Sequence, residues 1–352
     1  MKMAFLINDF QTLKHTQTTA MLICLAAQRY ETFVFDVKSF TFSYLDKLTA
    51  YGREVPAGEG TIQEKIQQVK QNSMCPYSLE SLDVLMIRVN PARDKENAWA
   101  HDVALNFCEI LKNKGVLVLN DPLGLRKAAS KLYITQLPEH LIPKTIVTRE
   151  LQEVKAFMRS IKGDIVLKPL QGTHGQDVFF VGQDETRNLH QIFDLLSRKG
   201  YAMVQEYVPE AAAGDIRLIL LNGKLMEEDG KPAAVHRVPG PGDFRSNIHA
   251  GGKAVPPTIT QAMRDTIATL GPILVKDGIF FAGLDFIGDK IVEINVFSTG
   301  GFQDAEVFTG VNFTEKVLQD IEEKFSQKTG RIVESISRAR CSETSQRSTK
   351  PT

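Results

Sequence analysis

Apolar runs with the spacing of strands alternate with helically spaced segments along the first 122 residues of the chain. Strands that alternate with helices usually lie parallel in one sheet, so this rhythm predicts a parallel α/β domain over residues 1–122. The stretch at 51–60 is expected to be a loop, and Pro122 marks the expected end of the domain. The predicted strands are at 3–9, 32–37, 83–89 and 116–122, and the predicted helices are at 18–30 and 99–115.

Residues 123–203 show the pattern of a second, smaller module in which strands and helices mix. The segment YAMVQEYV (201–208) is expected to be the strand that leaves this module. We therefore predict an α+β module that ends at residue 203. Its other predicted strands are at 144–148, 164–170 and 177–182, and its predicted helices are at 123–137, 150–161 and 185–199.

A third module, also α+β, is predicted over residues 204–325. It opens with an apolar hairpin at 216–228, in which Asn222-Gly223 is a strong signal for a two-residue turn. The stretch at 229–258 is polar and rich in Gly and Pro, and no regular element is predicted there. The remaining predicted elements are two strands within 281–297 and helices at 260–277 and 312–325.

The composition limits the partners that the protein can have. The chain has 352 residues, of which 43% are apolar and 24% charged, as is typical of a soluble globular protein with several domains. Lys+Arg and Asp+Glu both number 42, so no overall field attracts nucleic acid or an anionic membrane. The last residues, 326–352, are polar and contain no aromatic side chain, so we expect a disordered tail.

The four cysteines lie far apart and form no CxxC pair. This spacing argues against a zinc site and a disulfide framework, and it fits free thiols in a reducing compartment. The chain shows no signal-peptide pattern, and no apolar run reaches the roughly 18 residues that a membrane helix needs. We therefore expect a cytoplasmic protein. The cysteines are Cys24, Cys75, Cys108 and Cys341.

Two polar residues, Glu293 and Asn295, interrupt an apolar strand near the end of the third module. Alternate side chains of a strand share a face, so both point the same way. Asp285 interrupts the preceding strand; a three-residue turn would place it opposite Glu293, whereas a two-residue turn would place it on the other face. Two carboxylates and an amide favour a Mg²⁺ site. The alternative is that both acids pair with nearby Arg or Lys side chains.

Lys168 ends a strand of β-branched residues, directly before a loop that contains Gly172 and Gly175. Backbone N–H groups of such a loop, together with one lysine, can hold phosphate groups. Lys131, at helical spacing from Lys127, is a further candidate. The alternative is that these lysines are solvated and bind nothing.

A series of polar residues follows the second module. Arg217 interrupts an apolar strand, and Arg237 and Arg245 flank a Gly/Pro loop that Asn247 follows. Arginines that converge on one cleft can clamp carboxylate or phosphoryl oxygens with two hydrogen bonds each. The alternative is an ordinary basic surface loop. His174 and His249 lie near these residues and are expected to be loop residues rather than catalysts.

The segments KPLQGTHG, VQEYV, GDIRLIL, FRSNIHAGG, GLDFIGD and EIN, in this order, resemble the ATP-grasp carboxylate–amine ligases. Within them the chain is similar to the bacterial glutathione synthetases over residues 1–325, including IRVNP and LNDPLGLRKAASKLY. The resemblance implies an ATP-grasp fold, in which an N-terminal α/β domain precedes two α+β modules that clasp a nucleotide. It also implies that a carboxylate is activated as an acyl phosphate and joined to an amine.

The resemblance implies a role for each candidate residue. Arg217, Arg237, Arg245 and Asn247 would stabilise the phosphoryl group and the developing charge. Two Mg²⁺ ions, or Mn²⁺ in their place, would be held by Asp285, Glu293 and Asn295. ATP would be held by Lys131, Lys168, Gly172, Gly175, Gln205, Glu206, Tyr207, Val208 and Asp215.

The implied reaction joins γ-glutamylcysteine to glycine, and it forms glutathione, ADP and phosphate. The implied partners are therefore small peptide or amino-acid substrates, and the resemblance also suggests a homo-oligomer. Two alternatives stay open. The loop GTHGQDV, with His174, and the loop FSTGGFQDAE after Val296 are closer to the RimK-type ligases, which act on another peptide or protein carboxylate. The third hypothesis is an ATP-binding protein of the same fold without catalysis. Arg88, in IRVNP, could reach a substrate carboxylate.

Overall fold

Three main β-sheets follow one another along the chain in the structure, which is a computed structural model. It describes residues 1–172, 175–184, 187–240, 245–246 and 251–331. Each sheet is built from one continuous stretch of sequence, in the order in which the three modules are predicted.

The first sheet is mixed rather than fully parallel. Its order is β4-β3-β2-β1-β5-β6; β2, β1, β5 and β6 are parallel, and β3 and β4 are antiparallel additions at one edge. The predicted loop at 51–60 is wrong for residues 51–54, because β3 buries only Leu48, Ala50 and Gly52 and turns charged side chains outward. The elements are β1 (Lys2–Ile7), α1 (Thr18–Ala26), β2 (Glu31–Phe42), β3 (Leu48–Glu54), α2 (Ile62–Gln71), β4 (Cys75–Ser78), β5 (Val84–Ile87), α3 (Ala98–Asn113) and β6 (Leu117–Leu119).

The second sheet is antiparallel and has its own small core. Its order is β7-β10-β8-β9, and alternate strand residues such as Ile165 and Leu167 pack with Val154 and Phe193 of two helices. The strand β10 lies across the predicted module end at residue 203. The elements are β7 (Thr145–Thr148), α5 (Leu151–Ile161), β8 (Ile165–Pro169), β9 (Phe179–Val181), α6 (Leu189–Ser197) and β10 (Ala202–Glu206).

The segment before this sheet is a broken helix. The single helix predicted at 123–137 is wrong, because α4 (Pro122–Lys127) ends early and a 3₁₀ segment follows at Lys131–Gln136. Ser130 starts the second piece, since its side chain accepts a hydrogen bond from the Leu132 N–H at 3.3 Å. Side-chain caps of this kind begin a new helix and end the old one. The break leaves Lys131 at the first position of the new turn.

The third sheet has the order β16-β15-β11-β17-β18, and β12 pairs with β11. The predicted Asn222-Gly223 turn is confirmed, because Leu221 pairs with Lys224 and both turn residues have positive φ. The stretch at 229–258, for which no element is predicted, contributes strands, since β15 buries Ala234 and Val235. The strands are β11 (Asp215–Leu221), β12 (Lys224–Leu225), β13 (Glu227–Glu228), β14 (Lys231–Pro232), β15 (Ala234–Val238), β16 (Lys253–Val255), β17 (Phe281–Ile287) and β18 (Lys290–Asn295).

Three helices complete this part of the chain: α7 (Gln261–Lys276), α8 (Phe302–Thr309) and α9 (Phe313–Thr329). The predicted tail begins too early, because α9 continues past Ser326 and buries Phe325. Residues 332–352 lie outside the described part of the chain. Across the described residues, no helix combines the length and the apolar composition that crossing a bilayer requires. Cys24, Cys75 and Cys108 carry free thiols, and Cys341 lies outside the description.

The first and third sheets are joined through shared buried clusters, whereas the second sheet keeps a separate one. Asn120, directly after β6, is the polar link between them. Its amide donates to the carbonyls of Phe281 and Val296 at 2.9 and 3.0 Å, and its oxygen accepts from the N–H groups of Phe280 and Phe281 at 2.8 and 2.7 Å. Asn120 therefore ties the end of β6 to the start of β17, the strand that carries Asp285.

Candidate active site

The hairpin of β17 and β18 places Asp285 opposite Glu293 in spite of a short turn. Ile287 pairs with Lys290, so the turn has two residues, yet Asp285 pairs with Glu293. The expectation that a two-residue turn would separate the two carboxylates is wrong, because a β-bulge at Val292 shifts the register by one residue. Asn295 lies two pairs further along, opposite Gly283, and its amide donates to Asp285 Oδ2 at 3.1 Å. The three predicted metal ligands therefore lie together.

Asp285 is buried, with 1% of its surface exposed, and it is held by two arginines. Arg217 donates through Nε and Nη2 to its two oxygens at 2.7 and 2.6 Å, and Arg237 Nη2 lies 2.8 Å from Oδ2. Arg237 also donates to both oxygens of Asp215, each at 2.6 Å. We call these four side chains, Arg217, Asp285, Arg237 and Asp215, the ion-pair network. The alternative that Asp285 pairs with neighbouring arginines is thus what the described residues show.

Burial and neighbouring charges shift the pKa values of three members of the ion-pair network, Asp285, Arg237 and Asp215. Burial opposes ionisation of Asp285, but the charges of Arg217 and Arg237 outweigh it and hold the pKa of that carboxyl well below its usual range. Burial also acts against the charge of Arg237, and Asp285 and Asp215 reverse this and raise the pKa of its guanidinium. Burial and the charge of Asp285 outweigh the charge of Arg237 at Asp215, so the pKa of that carboxyl is raised. The network therefore pairs two arginines with two carboxylates at the base of the site.

The pairing of three neighbouring strands brings these four side chains together. Asp215 pairs with Arg237 across β11 and β15, and Arg217 pairs with Asp285 across β11 and β17. Alternate residues of β11 share a face, so Asp215 and Arg217 both point toward the same side of the third sheet. Gly214, with φ +106°, precedes them, and a Cβ there would lie 2.0 Å from the Arg237 carbonyl oxygen. Only glycine allows β11 and β15 to approach this closely.

Two lysines of the second module face the same hairpin. Lys168 Nζ donates to the carbonyl of Val292, the bulge residue, at 3.1 Å, and Lys131 Nζ lies 3.6 Å from Glu293 Oε1. Lys168 is buried, with 8% of its surface exposed. Burial lowers the pKa of Lys168 to about 8, against the opposing charge of Glu293. A buried ammonium without a carboxylate contact is costly, so this position favours an anionic ligand.

Two loops meet beside these lysines. Lys131 Nζ donates to the carbonyl of Gly172 at 3.1 Å, and Arg245 Nη1 donates to the carbonyl of Gly175 at 3.2 Å. The stretch that contains Arg245 therefore contacts the predicted phosphate loop. Asn247, the fourth predicted catalytic residue, lies outside the described residues, as do His174 and His249.

The strand β10 and the residues after it form the wall of the site. Gln205 is buried and donates to Thr145 Oγ1 at 2.8 Å. The N–H of Glu206 donates to the Lys144 carbonyl at 3.0 Å, and the N–H of Tyr207 to the Asp164 carbonyl at 2.9 Å. These contacts fix the backbone where β10 leaves the second sheet.

One cleft between the second and third sheets collects most of the predicted residues. It encloses about 910 Å³ of empty space, its open mouth included. Arg217, Arg237 and Asn295 do not line the cleft, and they reach it through Asp285. The predicted residues that line it are Lys131, Lys168, Gly172, Gly175, Gln205, Glu206, Tyr207, Val208, Asp215, Arg245, Asp285 and Glu293.

The cleft also has walls that sequence reasoning missed. Val166, Val178 and Ile287 line it with apolar surface, and Ser246 lines it beside Arg245. Their residue types carry no chemical signal, although Val166 and Ile287 lie two residues from Lys168 and Asp285 on the same strands. The strand period could therefore have placed them on the same face. Apolar walls with few polar groups are typical of a small-molecule site.

The residues present fit a hard divalent cation. Glu293 is partly exposed, at 29% of its side chain, and it lies beside Asp285 and Asn295 on one face of the hairpin. Oxygen ligands of this kind suit Mg²⁺, which also takes phosphate oxygens and water. In the part of the chain that the structure describes, no three His, Cys, Asp or Glu side chains converge on one point. The predicted set contains two carboxylates and an amide, so further ligands would come from a nucleotide.

Two family models match successive parts of the chain. The family model of the prokaryotic glutathione synthetase N-terminal domain matches residues 1–126, and that of the prokaryotic glutathione synthetase ATP-grasp domain matches residues 130–310. The glutathione synthetase of Shewanella oneidensis is 36% identical over 251 residues, which is 71% of this chain and 76% of the relative. That of Brucella melitensis is 32% identical over 321 residues, covering 89% and 95%.

Solved structures show the same fold at low sequence identity. The D-cycloserine synthetase DcsG has a TM-score of 0.61 at 15% identity, and the match covers 92% of this chain and 99% of that one. A RiPP-associated ATP-grasp ligase from Chryseobacterium gregarium, in complex with ADP and a leader and core peptide, has a TM-score of 0.59 at 16% identity, covering 93% and 97%. A RimK domain ATP-grasp protein from Sphaerobacter thermophilus has a TM-score of 0.55 at 15% identity, covering 91% and 99%.

Proposed function

The chain belongs to the prokaryotic glutathione synthetase family, and from this premise we propose that it joins γ-glutamylcysteine to glycine. It has the ATP-grasp fold, and it is an ATP-dependent ligase that forms an amide bond. The products of the proposed reaction are glutathione, ADP and phosphate. We place the reaction in the cytoplasm, where ATP is available and where thiols such as Cys24 and Cys108 stay reduced.

One observation carries this proposal: a single cleft combines two lysines, a glycine loop and the Asp285–Glu293 pair. The lysines suit the phosphate groups of ATP, and the strand end at Gln205–Val208 suits the adenine ring. The hairpin of β17 and β18 lines the same cleft, where Lys168 contacts Val292 and Lys131 lies 3.6 Å from Glu293. A nucleotide that spans the cleft would therefore direct its terminal phosphate toward Glu293.

In the proposed mechanism, a carboxylate oxygen of γ-glutamylcysteine attacks the γ-phosphorus of ATP, and the bond to the ADP oxygen breaks. The amine of glycine then attacks the acyl phosphate carbon, and phosphate leaves. Lys131 and Lys168 orient the phosphate chain, and their positive charges offset the charge that spreads over the phosphoryl oxygens. Such a reaction depends on positioning and positive charge, and no protein nucleophile takes part.

Two members of the ion-pair network, Arg217 and Arg237, are proposed to stabilise the transferred phosphoryl group. Arg217 and Arg237 use part of their N–H donors on Asp285 and Asp215, and each guanidinium has five N–H groups. In this proposal the two guanidiniums act on the phosphoryl group through their positive charge, since neither side chain lines the cleft. Arg245 and Asn247 complete this set in the proposal. Arg245 closes the loop at Gly175 over the cleft, which excludes water from an easily hydrolysed acyl phosphate.

Glu293, Asn295 and Asp285 would hold Mg²⁺, for which Mn²⁺ could substitute, and we propose two ions. When bound, the ions supply positive charge to the phosphate oxygens. Glu293 would then exchange its contact with Lys131 for the cation. The displaced lysine becomes available to the phosphate groups.

Replacing Lys168 by methionine is expected to raise the KM for ATP by roughly 10- to 100-fold, because a charge-assisted contact to phosphate is lost. The protein should stay folded, since the variant removes a buried ammonium whose nearest partner is a backbone carbonyl. Steady-state kinetics with varied ATP measure the change. Lys199→Met, at an exposed lysine of the same module, is the matched control. An unchanged KM for ATP would show that Lys168 does not contact the nucleotide.

The proposed reaction is tested with the full chain, Mg-ATP, γ-glutamylcysteine and glycine. ADP release should require both substrates, and mass spectrometry should detect glutathione. ADP release with other amines or carboxylates alone would reject these substrates and keep the ligase chemistry, as the RimK-type alternative predicts. Nucleotide binding without turnover under every condition would support the non-catalytic alternative. The family resemblance also suggests a homo-oligomer, which light scattering measures directly.

A further inference from the structure

Arg88 is a buried cation that contacts no carboxylate among the residues that the structure describes. It follows β5 directly, and 4% of its surface is exposed. Its Nε donates to Thr19 Oγ1 at 3.1 Å, its Nη2 donates to the Thr299 carbonyl at 2.7 Å, and its guanidinium carbon lies 5.0 Å from the centre of the Phe281 ring. Among the described residues these are its side-chain partners, and all of them are neutral.

The contrast with Arg237 shows that this arrangement is unusual for the protein. Arg237, the other deeply buried arginine of the described residues, contacts two carboxylates, Asp215 and Asp285. A buried charge without a counter-charge is strongly disfavoured. In agreement, burial lowers the pKa of Arg88 to about 9. Only two of the five N–H groups of Arg88 have partners among the described residues, so its charge and donors suit an anion.

Thr299 and Gly283 lie between Arg88 and Arg217 of the ion-pair network. Thr299, whose carbonyl Arg88 contacts, also donates from Oγ1 to the Asn295 carbonyl at 2.6 Å. A Cβ placed on Gly283 would lie 3.0 Å from Thr299 Cγ2 and 3.7 Å from Arg217 Nε. Arg88, at the end of a strand of the first sheet, therefore approaches Arg217 and Asn295 through Thr299.

The start of α1 adds to the positive potential at this place. Thr19, the Nε acceptor, is the second residue of this nine-residue helix. The helix has no side-chain cap and no acidic residue in its first turn. Helix N-termini attract negative charge through the helix dipole and free N–H groups. Both the helix and the guanidinium thus favour an anion at the same point.

We propose that Arg88 is a specificity-determining residue that binds a substrate carboxylate which does not react. The identity of the substrates rests on the proposed function. Two carboxylates qualify: the α-carboxylate of the glutamyl residue in γ-glutamylcysteine, and the carboxylate of glycine. Either would supply the counter-charge that Arg88 lacks and would hold its substrate beside the phosphoryl group.

The test compares Arg88→Met, Arg88→Lys and a matched control, Arg53→Met. Arg53 is also held by backbone carbonyls, of Val69 and Lys70, and by an aromatic ring, that of Phe10, but it lies in β3, away from the cleft. Arg88→Met is expected to raise the KM for one carboxylate substrate roughly 10- to 100-fold, with the KM for ATP unchanged. Arg88→Lys should restore part of the loss, because it keeps the charge.

Substrate analogues identify the carboxylate. Glycinamide replaces glycine, and γ-glutamylcysteine with an amidated glutamyl α-carboxyl replaces the natural dipeptide. Wild-type enzyme should lose efficiency with one analogue, and Arg88→Met should show little further loss with that same analogue. Such a loss of discrimination is not expected from a merely structural role of Arg88.

Each outcome decides a separate point. Wild-type enzyme that releases no ADP with these substrates overturns the proposed function, and this inference falls with it. Active wild-type enzyme whose Arg88→Met variant keeps both substrate KM values overturns this inference alone. If both Arg88 variants melt at temperatures far below that of Arg53→Met, the Arg88 guanidinium has a structural role. That result would also overturn this inference.

Discussion

Replacing Glu293 by glutamine should lower ligation about 10³-fold and leave the fold intact. Glutamine keeps the size of the side chain but removes the negative charge that a divalent cation needs. Glu293 is partly exposed, and its ion pair with Lys131 spans 3.6 Å, so the folded state depends little on its charge. The expected result is therefore a loss of kcat/KM with an unchanged melting temperature.

The measurement is kcat/KM at several concentrations of free Mg²⁺, since a weakened site should need more metal for the same rate. Glu227→Gln is the matched control. Glu227 is another exposed carboxylate of the third module, and it pairs with Arg264 at 3.0 Å, outside the cleft. Normal turnover of Glu293→Gln at low Mg²⁺ would refute the metal assignment of the hairpin, whatever the protein's substrates are.

The hairpin shows how far the sequence alone can predict such a site. The two-residue spacing of Glu293 and Asn295 places them on one face of any strand, so their neighbourhood was predictable. The position of Asp285 was not, because it depends on the bulge at Val292, and one inserted residue exchanges the two faces. Local sequence carries no clear signal for this bulge. The pairing across the third sheet decides it.

The ion-pair network shows the same limit of sequence-based prediction for contacts between residues far apart in the chain. Arg217 within an apolar strand predicts a buried partner, and nearby arginines were an open alternative for Asp285. The contact of Asp215 with Arg237 depends on the register of β11 and β15, which are separated by a turn and a small hairpin. The same limit applies to β3, where the aromatic Tyr51 is exposed and Gly52 is buried, so that the residue types hide the alternation. The hydrophobic pattern of the sequence predicts strands and helices, whereas the pairing of strands decides which side chains contact each other.

Replacing Asp285 by asparagine should greatly lower activity, as Glu293→Gln does, but unlike Glu293→Gln it should also cause a large loss of stability. The free energy of unfolding should fall by about 3 kcal/mol, because a buried charge pair loses one partner. Arg217 is the side chain most affected, since Asp285 is its carboxylate partner in the described structure, whereas Arg237 keeps Asp215. Equilibrium unfolding in urea measures the change.

A second substitution separates this cause from a simple packing defect. Arg217→Met in the Asp285→Asn background removes the cation that the first change leaves without a counter-charge, so the double variant should recover part of the lost stability. The two single changes should therefore be strongly non-additive, while neither variant regains ligation. Additive losses would mean that Arg217 and Asp285 do not depend on each other energetically, and the ion-pair network would then not be the support that holds the cleft in place.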